Sequence, residues 1–364
     1  MMKGKKIVFM ILFYTVCFAV GGVIGLGLNS GAFTLPELIV GFFVGYNISI
    51  IVHEAGHLVC GLVSGYGFSS FRIWSFMLMR VDGRFSFHRH KLAGTAGQCL
   101  MTPPKGDDRE APVILYNLGG VIFNFLLSAL CLGLYAAFPE IYMLSNILVI
   151  TAVISFVTIL GNGIPLALNG IANDGLNALF LSKDKAAKVA FLNQLRMNEA
   201  QTRGVRLCEM PDEWFEVPEG VDKKNVAFSS IAVFKVNREF DKFDSLKSEK
   251  QIEELLASEW NIIGLYKNLL LCDLAFCRLI NYGKDADVSI LNTPEMQNFR
   301  KSMKNYMSVI RTEYALALLH SSDDKAAEKW LSAFEKAAKN SPHPADVNSE
   351  RELISLAQSR KNTF

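Results

Sequence analysis

The sequence predicts an α-helical membrane protein with about four transmembrane helices, a small β-region at the cytoplasmic face and a soluble all-α C-terminal domain. Three observations predict this fold class. Apolar residues make up 51% of the 364-residue chain. Four stretches reach the roughly 20 mostly apolar residues that a bilayer-spanning helix needs. Charge is concentrated in the second half: residues 1–182 contain ten Lys or Arg and eight Asp or Glu, whereas residues 183–364 contain 27 of each.

The predicted spans cover residues 7–28, about 38–63, about 113–138 and about 144–168. The first span follows Lys3, Lys5 and Lys6, as the apolar part of a signal peptide would. Its apolar run is too long for a signal peptide, and no A-x-A cleavage site follows it. Residues 1–35 are therefore expected to remain as an N-terminal anchor helix.

The basic residues of the first half predict the orientation. Three precede the first span, and the other seven lie between the second and third spans: Arg72, Arg80, Arg84, Arg89, Lys91, Lys105 and Arg109. The positive-inside rule then places both termini and the 65–112 loop in the cytoplasm. Short outer loops and the lack of outer-membrane or organelle signals favour a multi-pass protein of the cell membrane, specifically a bacterial plasma membrane.

The 65–112 loop is too polar to span a bilayer. Its segment "FRIWSFMLMRVDGRFSFHRH" is rich in residues that favour strands and contains a turn-like Asp82-Gly83, and the glycine-punctuated "LAGTAGQCLMTPP" follows. This pattern predicts a hairpin or small sheet at the cytoplasmic membrane face. A plain linker is the alternative.

The second span carries His53-Glu54-Ala55-Gly56-His57, which fits the HExxH pattern. Residues four apart share a face of a helix, so both imidazoles can bind one metal ion. Glu54 lies beside them and can reach a water on that ion, and Zn²⁺ lowers the pKa of such a water to about 7. Glu54 would accept a proton as the water attacks a carbonyl and then donate it to the leaving amine.

Chance is the alternative explanation of this motif. The chain contains only six histidines, so a random match is improbable. Ionisable residues inside a transmembrane helix are also costly and are functional by default. Three of them within five residues need a shared partner, and a divalent cation is the simplest one.

Two histidines leave zinc one protein ligand short. The candidate third ligand is Asp174 in "GNGIPLALNGIANDGLNALF", because it is the only acidic residue between Glu140 and Asp184 and is expected at the same cytoplasmic depth as the histidines. The alternative is an Asn-Asp-Gly turn that ends a helix. A set of two histidines and one aspartate with an open position favours zinc over other divalent metals.

These motifs resemble a known family. The segments "HEAGH", "NLGGVIFNFLLS" at 117–128 and "GNGIPLALNGIANDG" at 161–175 are similar, in the same order, to motifs of the site-2 protease family of intramembrane zinc metalloproteases, peptidase family M50. The resemblance covers roughly residues 36–182, which are expected to form the membrane metalloprotease core. The strand-like loop within it resembles the family's membrane-associated β-region.

The resemblance implies that His53, His57 and Asp174 bind one zinc ion and that Glu54 is the catalytic base. It implies an endopeptidase that hydrolyses peptide bonds in or near transmembrane segments, or in signal-peptide remnants, of membrane proteins. Its substrate would be a membrane-embedded protein or peptide, and the lipid bilayer would be its second partner.

The resemblance also implies that Asn124 and Asn162 face the site and contact the substrate backbone. The alternatives are a helix–helix hydrogen bond for Asn124 and a helix-end cap for Asn162. In one feature the sequence departs from the tightest family pattern: eight residues separate Pro165 from Asp174. This spacing bears on the geometry of the third ligand.

Residues 183–364 are predicted to form the soluble helical domain. Helices are expected over 224–243, 246–258, 261–281, 294–320, 323–340 and 347–359. The stretch "YALALLHSSDDKAAEKWLSAFEKAAKNSP" has the helix–turn–helix rhythm of a tetratricopeptide repeat, which would bind a protein partner. A plain helical bundle is the alternative.

Two further functions compete with an intramembrane protease. One is a non-proteolytic membrane scaffold or sensor that retains the protease fold, against which the complete HExxH argues. The other is a conventional zincin that cuts soluble chains at the cytoplasmic surface, against which the depth of the motif argues. The net charge of +2 gives no case for nucleic-acid binding.

Overall fold

The computed structural model describes Gly21 and residues 34–89, 95–168 and 171–361. The predicted anchor helix lies almost wholly outside these residues, so its span at 7–28 stays a prediction. The described part of the chain is mostly helical and contains a small antiparallel sheet. The predictions of a helical chain and of a small β-region are confirmed.

The helices and strands, numbered in chain order, are α1 Leu35–Val63, β1 Gly67–Ile73, β2 Phe76–Val81, β3 Arg84–Arg89, β4 Gly97–Thr102, α2 Val113–Ala137, α3 Tyr142–Gly163, β5 Ala167–Leu168, β6 Ile171–Ala172, α4 Asp174–Lys183, α5 Lys185–Thr202, α6 Val226–Phe240, α7 Ser245–Ala257, α8 Gly264–Tyr282, α9 Pro294–Ser302, α10 Met307–Ala315, α11 Asp324–Ala338 and α12 Pro344–Arg360.

Three of the described helices, α1, α2 and α3, are long and apolar enough to cross a membrane. The fourth predicted span, over 144–168, was too long, because α3 ends at Gly163. Pro165 has no N–H to continue the helix and disfavours helical geometry at Ile164. The chain beyond it pairs as the short strands β5 and β6 instead.

The start of α1 is set by a capping box. The backbone N–H of Thr34 donates to Glu37 Oε2 (2.8 Å), and the backbone N–H of Glu37 donates to Thr34 Oγ1 (3.4 Å). Two helix N–H groups that would otherwise lack a partner are satisfied in this way. The helix therefore begins slightly earlier than its apolar run.

The three long helices approach one another closely at small residues. A Cβ on Gly45 of α1 would lie 3.0 Å from the Cα of Thr151 on α3. A Cβ on Gly56 of α1 would collide with the carbonyl of Gly119 on α2. Small residues allow helix backbones to pack at this distance in a membrane.

The chain divides into two compact units, one formed by residues 1–74 and 92–185 and the other by residues 75–91 and 186–364. In the first unit β1 pairs antiparallel with β4. In the second unit β2 pairs antiparallel with β3. The two central residues of the β2–β3 turn, Asp82 and Gly83, have φ angles of 49° and 81°. Asp-Gly is a preferred pair for such a tight hairpin turn, and the predicted hairpin is confirmed.

In the second unit, the helices α6, α7, α8, α10, α11 and α12 pack around a common apolar core. Large side chains of this core are at most 1% exposed, among them Ile252, Leu270, Phe276, Ile310 and Phe334. Five of the six predicted helices of this region correspond to α6, α7, α8, α11 and α12. The tetratricopeptide-like character of the region stays a prediction.

The remaining predicted helix, over 294–320, was wrong, because this segment does not form a single helix. The chain forms α9 and α10 there, with a turn at 303–306 between them and a π-helical turn, Leu316–His320, after α10. Met303 in the turn and Val309 in α10 pack into the same apolar cluster, with Cys272 of α8. Packing thus interrupts a segment in which no Gly or Pro marks the break.

Candidate metal centre

The two histidines of the HExxH motif and Asp174 converge in the first unit. His53 and His57 lie one turn apart on α1, and Asp174 is the first residue of α4. The Nε2 atoms of His53 and His57 are 3.3 Å apart. Oδ2 of Asp174 lies 3.1 Å from the first of these atoms and 3.4 Å from the second. Among the residues that the structure describes, this is the one group of three or more His, Cys, Asp or Glu with metal-ligand spacing.

The triangle fits a zinc ion. Zinc binds nitrogen and oxygen ligands tetrahedrally at about 2.0–2.1 Å, so neighbouring ligand atoms in such a site lie about 3.3 Å apart. The three observed distances lie close to this value. Apart from these two nitrogen atoms, Oδ2 of Asp174 is buried without a hydrogen-bond partner. Buried polar atoms are normally satisfied, and a cation bound between the three residues would satisfy this one.

The orientation of His57 is fixed by the backbone. Its Nδ1 lies 2.9 Å from the carbonyl oxygen of Tyr116 on α2. A carbonyl only accepts, so Nδ1 carries the proton and Nε2 presents its lone pair to the other two ligand atoms. This pattern, in which the second ring nitrogen donates to a carbonyl, is usual for histidines that bind metals.

His53 is held by space and by an amide. A Cβ on Gly120 of α2 would lie 2.5 Å from Cε1 of the His53 ring, so any side chain at 120 would displace the imidazole. The amide nitrogen of Asn124 lies 3.5 Å from His53 Nδ1 and 3.4 Å from Ser49 Oγ. Oδ1 of Asn124 is buried without a partner. With the amide turned by 180°, Oδ1 would accept from His53 Nδ1–H and leave Nε2 free to bind a metal.

The two predicted substrate-binding residues lie in different surroundings. Asn124 is fully buried beside His53 and Ser49. Asn162 lies near the end of α3, where its amide donates to the carbonyl of Thr158 in the same helix (3.2 Å). The structure therefore brings Asn124 to the histidines but gives Asn162 a bond within its own helix. Contact of either residue with a substrate stays a prediction.

Glu54 is buried and faces the beginning of β4. A Cβ on Gly97, the first residue of β4, would lie 2.5 Å from Glu54 Oε1. Arg72 of β1, itself 1% exposed, holds this part of the chain. Its guanidinium donates to the carbonyls of Trp74 (2.6 Å), Thr95 (3.3 Å) and Gly97 (3.4 Å).

Sequence reasoning missed three residues that shape this centre. Arg72 was counted only as a loop charge, because its burial is visible only in the structure. Gly120 belongs to the glycine pair of "NLGG". The room that it leaves for the His53 ring becomes visible only when α1 and α2 are in contact. Asn173, directly before Asp174, entered only through the alternative of an Asn-Asp-Gly turn.

No protein-family model, curated protein or solved structure matches the chain.

Proposed function

We propose that the protein is an intramembrane zinc endopeptidase resembling the site-2 proteases of peptidase family M50. The observation that carries this proposal is that His53 and His57, on a helix apolar enough to lie in a membrane, converge with Asp174 of α4 at distances suited to zinc. Because the HExxH motif is complete, a zinc ion bound at this position would serve the hydrolysis of peptide bonds.

The residues would divide the work as follows. His53, His57 and Asp174 would hold the ion and leave one position open. Bound there, zinc would supply a Lewis acid that lowers the pKa of a water to about 7 and polarises a peptide carbonyl. Glu54 would take the proton of that water and transfer it to the leaving amine.

The surroundings of Glu54 support a membrane-embedded substrate. A peptide bond in a helix is engaged in hydrogen bonds, so the substrate has to unwind before it is cut. Among the described residues β4 pairs only with β1, and its first residue lies against Glu54. An unwound segment could add to β4 by backbone pairing, which would bring its peptide bond to the catalytic base.

The proposed topology places α1, α2 and α3 across a bacterial plasma membrane, together with the anchor helix predicted at 7–28. Both termini and the helices after α4 would lie in the cytoplasm. There the C-terminal helices would act as a soluble domain that binds a protein partner.

Comparative membrane proteomics tests the function. Cells that carry the wild type or Glu54→Gln would be compared, because this substitution keeps the metal ligands and removes the base. Single-span proteins or signal-peptide remnants should accumulate only with Glu54→Gln, and the matching products in wild-type cells should end inside an apolar segment.

Two results would argue against it. Identical profiles, combined with a phenotype of the full deletion, would favour a non-proteolytic scaffold or sensor. Products cut only in soluble segments would favour a conventional zincin at the membrane surface.

A further inference from the structure

One side chain joins the two helix ends that meet beside Asp174. The amide nitrogen of Asn173 donates to the carbonyls of Gly161 (2.8 Å) and Ile164 (2.6 Å) at the end of α3. Its Oδ1 accepts from the backbone N–H groups of Leu166 and Leu176, both at 3.0 Å. We call these four hydrogen bonds the Asn173 clamp.

The clamp explains why this residue is asparagine. The four bonds use both donors of the amide and both lone pairs of its oxygen, which is its full capacity. As the N-cap of α4 alone, Asp would serve as well as Asn. Aspartate, however, cannot donate to the two carbonyls, which are among those that a helix end leaves without a partner.

The clamp acts on the next residue in the chain. Asp174 begins α4, and the first turn of α4 lies so close to α3 that a Cβ on Gly175 would collide with the carbonyl of Gly163. Between them lies the long connection from Pro165 to Asp174, which contains β5 and β6. A connection of this length does not by itself fix where its last residue lies. The Asn173 clamp holds the two ends of this connection together.

We propose that Asn173 is a positioning residue that sets Asp174 as the third ligand of the metal centre. This inference rests on the proposed function, because it requires a metal ion at His53, His57 and Asp174. Asn173 itself touches neither the ion nor the substrate. Its hydrogen bonds fix the start of α4, and with it the carboxylate of Asp174, relative to the end of α3.

Metal affinity of the full-length protein in nanodiscs tests the inference. Zn²⁺ would be titrated against a chelator, and Co²⁺ would report coordination through its visible absorption. We expect Asn173→Ala and Asn173→Asp to weaken Zn²⁺ binding by about 10–100-fold, the range that loss of an outer partner of a ligand usually causes. The Co²⁺ spectrum of both variants should also depart from that of the wild type.

Asn173→Asp is the sharper variant. It keeps the N-cap of α4, so it should fold, and its added negative charge would by itself favour a cation. Weaker binding would therefore reflect the lost donations to Gly161 and Ile164, together with the repulsion between the new carboxylate oxygen and these two carbonyls.

Asn146→Ala is the matched control. The Asn146 amide also links two helices, by donating to Glu37 Oε2 (3.3 Å), but it has no part in the clamp. Its Zn²⁺ affinity and Co²⁺ spectrum should equal those of the wild type, even if its unfolding temperature falls.

The possible failures are distinguishable. If both Asn173 variants bind Zn²⁺ within about threefold of the wild type while His57→Ala does not bind, the proposed metal centre stands and the positioning role is wrong. The same conclusion follows if the variants lose only thermal stability and keep the Co²⁺ spectrum. If the wild type binds no metal, the proposed function fails, and this inference fails with it.

Discussion

At the scale of single residues, the candidate centre depends on neighbours that are not ligands. Tyr116 sets the tautomer of His57 through its carbonyl, and the absence of a side chain at Gly120 leaves room for His53. A substitution at Gly120 changes these surroundings without removing a ligand atom. It therefore tests the geometry of the centre separately from its chemistry.

The first prediction concerns Gly120. Gly120→Ala places a methyl group 2.5 Å from the His53 ring, so the imidazole has to turn away, and we expect zinc affinity to fall by at least about tenfold. Gly133→Ala on the same helix is the control, because nothing lies within 4 Å of a Cβ there. Chelator competition measures both. Unchanged affinity of Gly120→Ala would show that His53 does not bind metal in this rotamer.

The second prediction concerns Asp346 of α12. Its carboxylate accepts from Gln201 Nε2 (2.9 Å) and lines a cavity of about 220 Å³. Burial and, to a lesser degree, the charge of Asp241 raise the pKa of Asp346 from 3.8 to about 6. The free energy of unfolding gained from this protonation is fully present below about pH 3.8 and is lost as the pH rises through about 6.

Asp346→Asn should therefore stabilise the helical region at pH 7.5, by about 1–2 kcal/mol, and the gain should vanish towards pH 4. Hydrogen exchange of α12 in the full-length protein measures it at each pH. The exposed carboxylate of Glu328 provides the control, and Glu328→Gln should leave exchange unchanged. A destabilised Asp346→Asn variant at pH 7.5 would mean that the charge is favourable where it lies.

At the scale of elements, β4 is positioned by a buried cation. The guanidinium of Arg72 reaches three carbonyls around the start of β4, and a planar group with five donors can do this where a single ammonium cannot. We expect Arg72→Lys to lower the protection of β4 amides from hydrogen exchange and to reduce substrate cleavage. Arg80→Lys on β2 is the control and should change neither. Full protection of β4 in Arg72→Lys would contradict this role.

Elements were predictable from sequence where the signal is local. Apolar run length located α1 and α2, and Asp82-Gly83 located the β2–β3 turn. The break between α9 and α10 was not predictable, because it follows from where Met303 and Val309 pack. Pro165 marks the end of α3 in the sequence. The apolar residues after it nevertheless led the predicted span to extend to residue 168.

The candidate site was predictable to a similar extent. The spacing of His53 and His57 fixes them on one helix face, and the membrane depth of Asp174 suggested the third partner. The Asn173 clamp was not predictable, because its four bonds depend on the path of the connection between α3 and α4. Gly120 likewise gains its meaning only from the contact of α1 with α2.

At the scale of the whole molecule, the proposed orientation in the membrane sets the side on which the metal centre lies. The connection between α2 and α3 contains Glu140 and no basic residue, whereas Lys105 lies in the basic loop before α2. In a cysteine-free background, Glu140→Cys should react with a membrane-impermeant maleimide in intact cells, and Lys105→Cys only after lysis. The reverse pattern would invert the topology and place the metal centre nearer the outer face.

The central claim is that His53, His57 and Asp174 bind one zinc ion in a membrane helix bundle. Its most direct test is the metal content of the full-length protein, purified in nanodiscs and analysed by mass spectrometry. We predict about one zinc ion per chain in the wild type and in Glu54→Gln, and almost none in His57→Ala or Asp174→Ala. A wild type without zinc, or ligand variants that keep it, would contradict the claim.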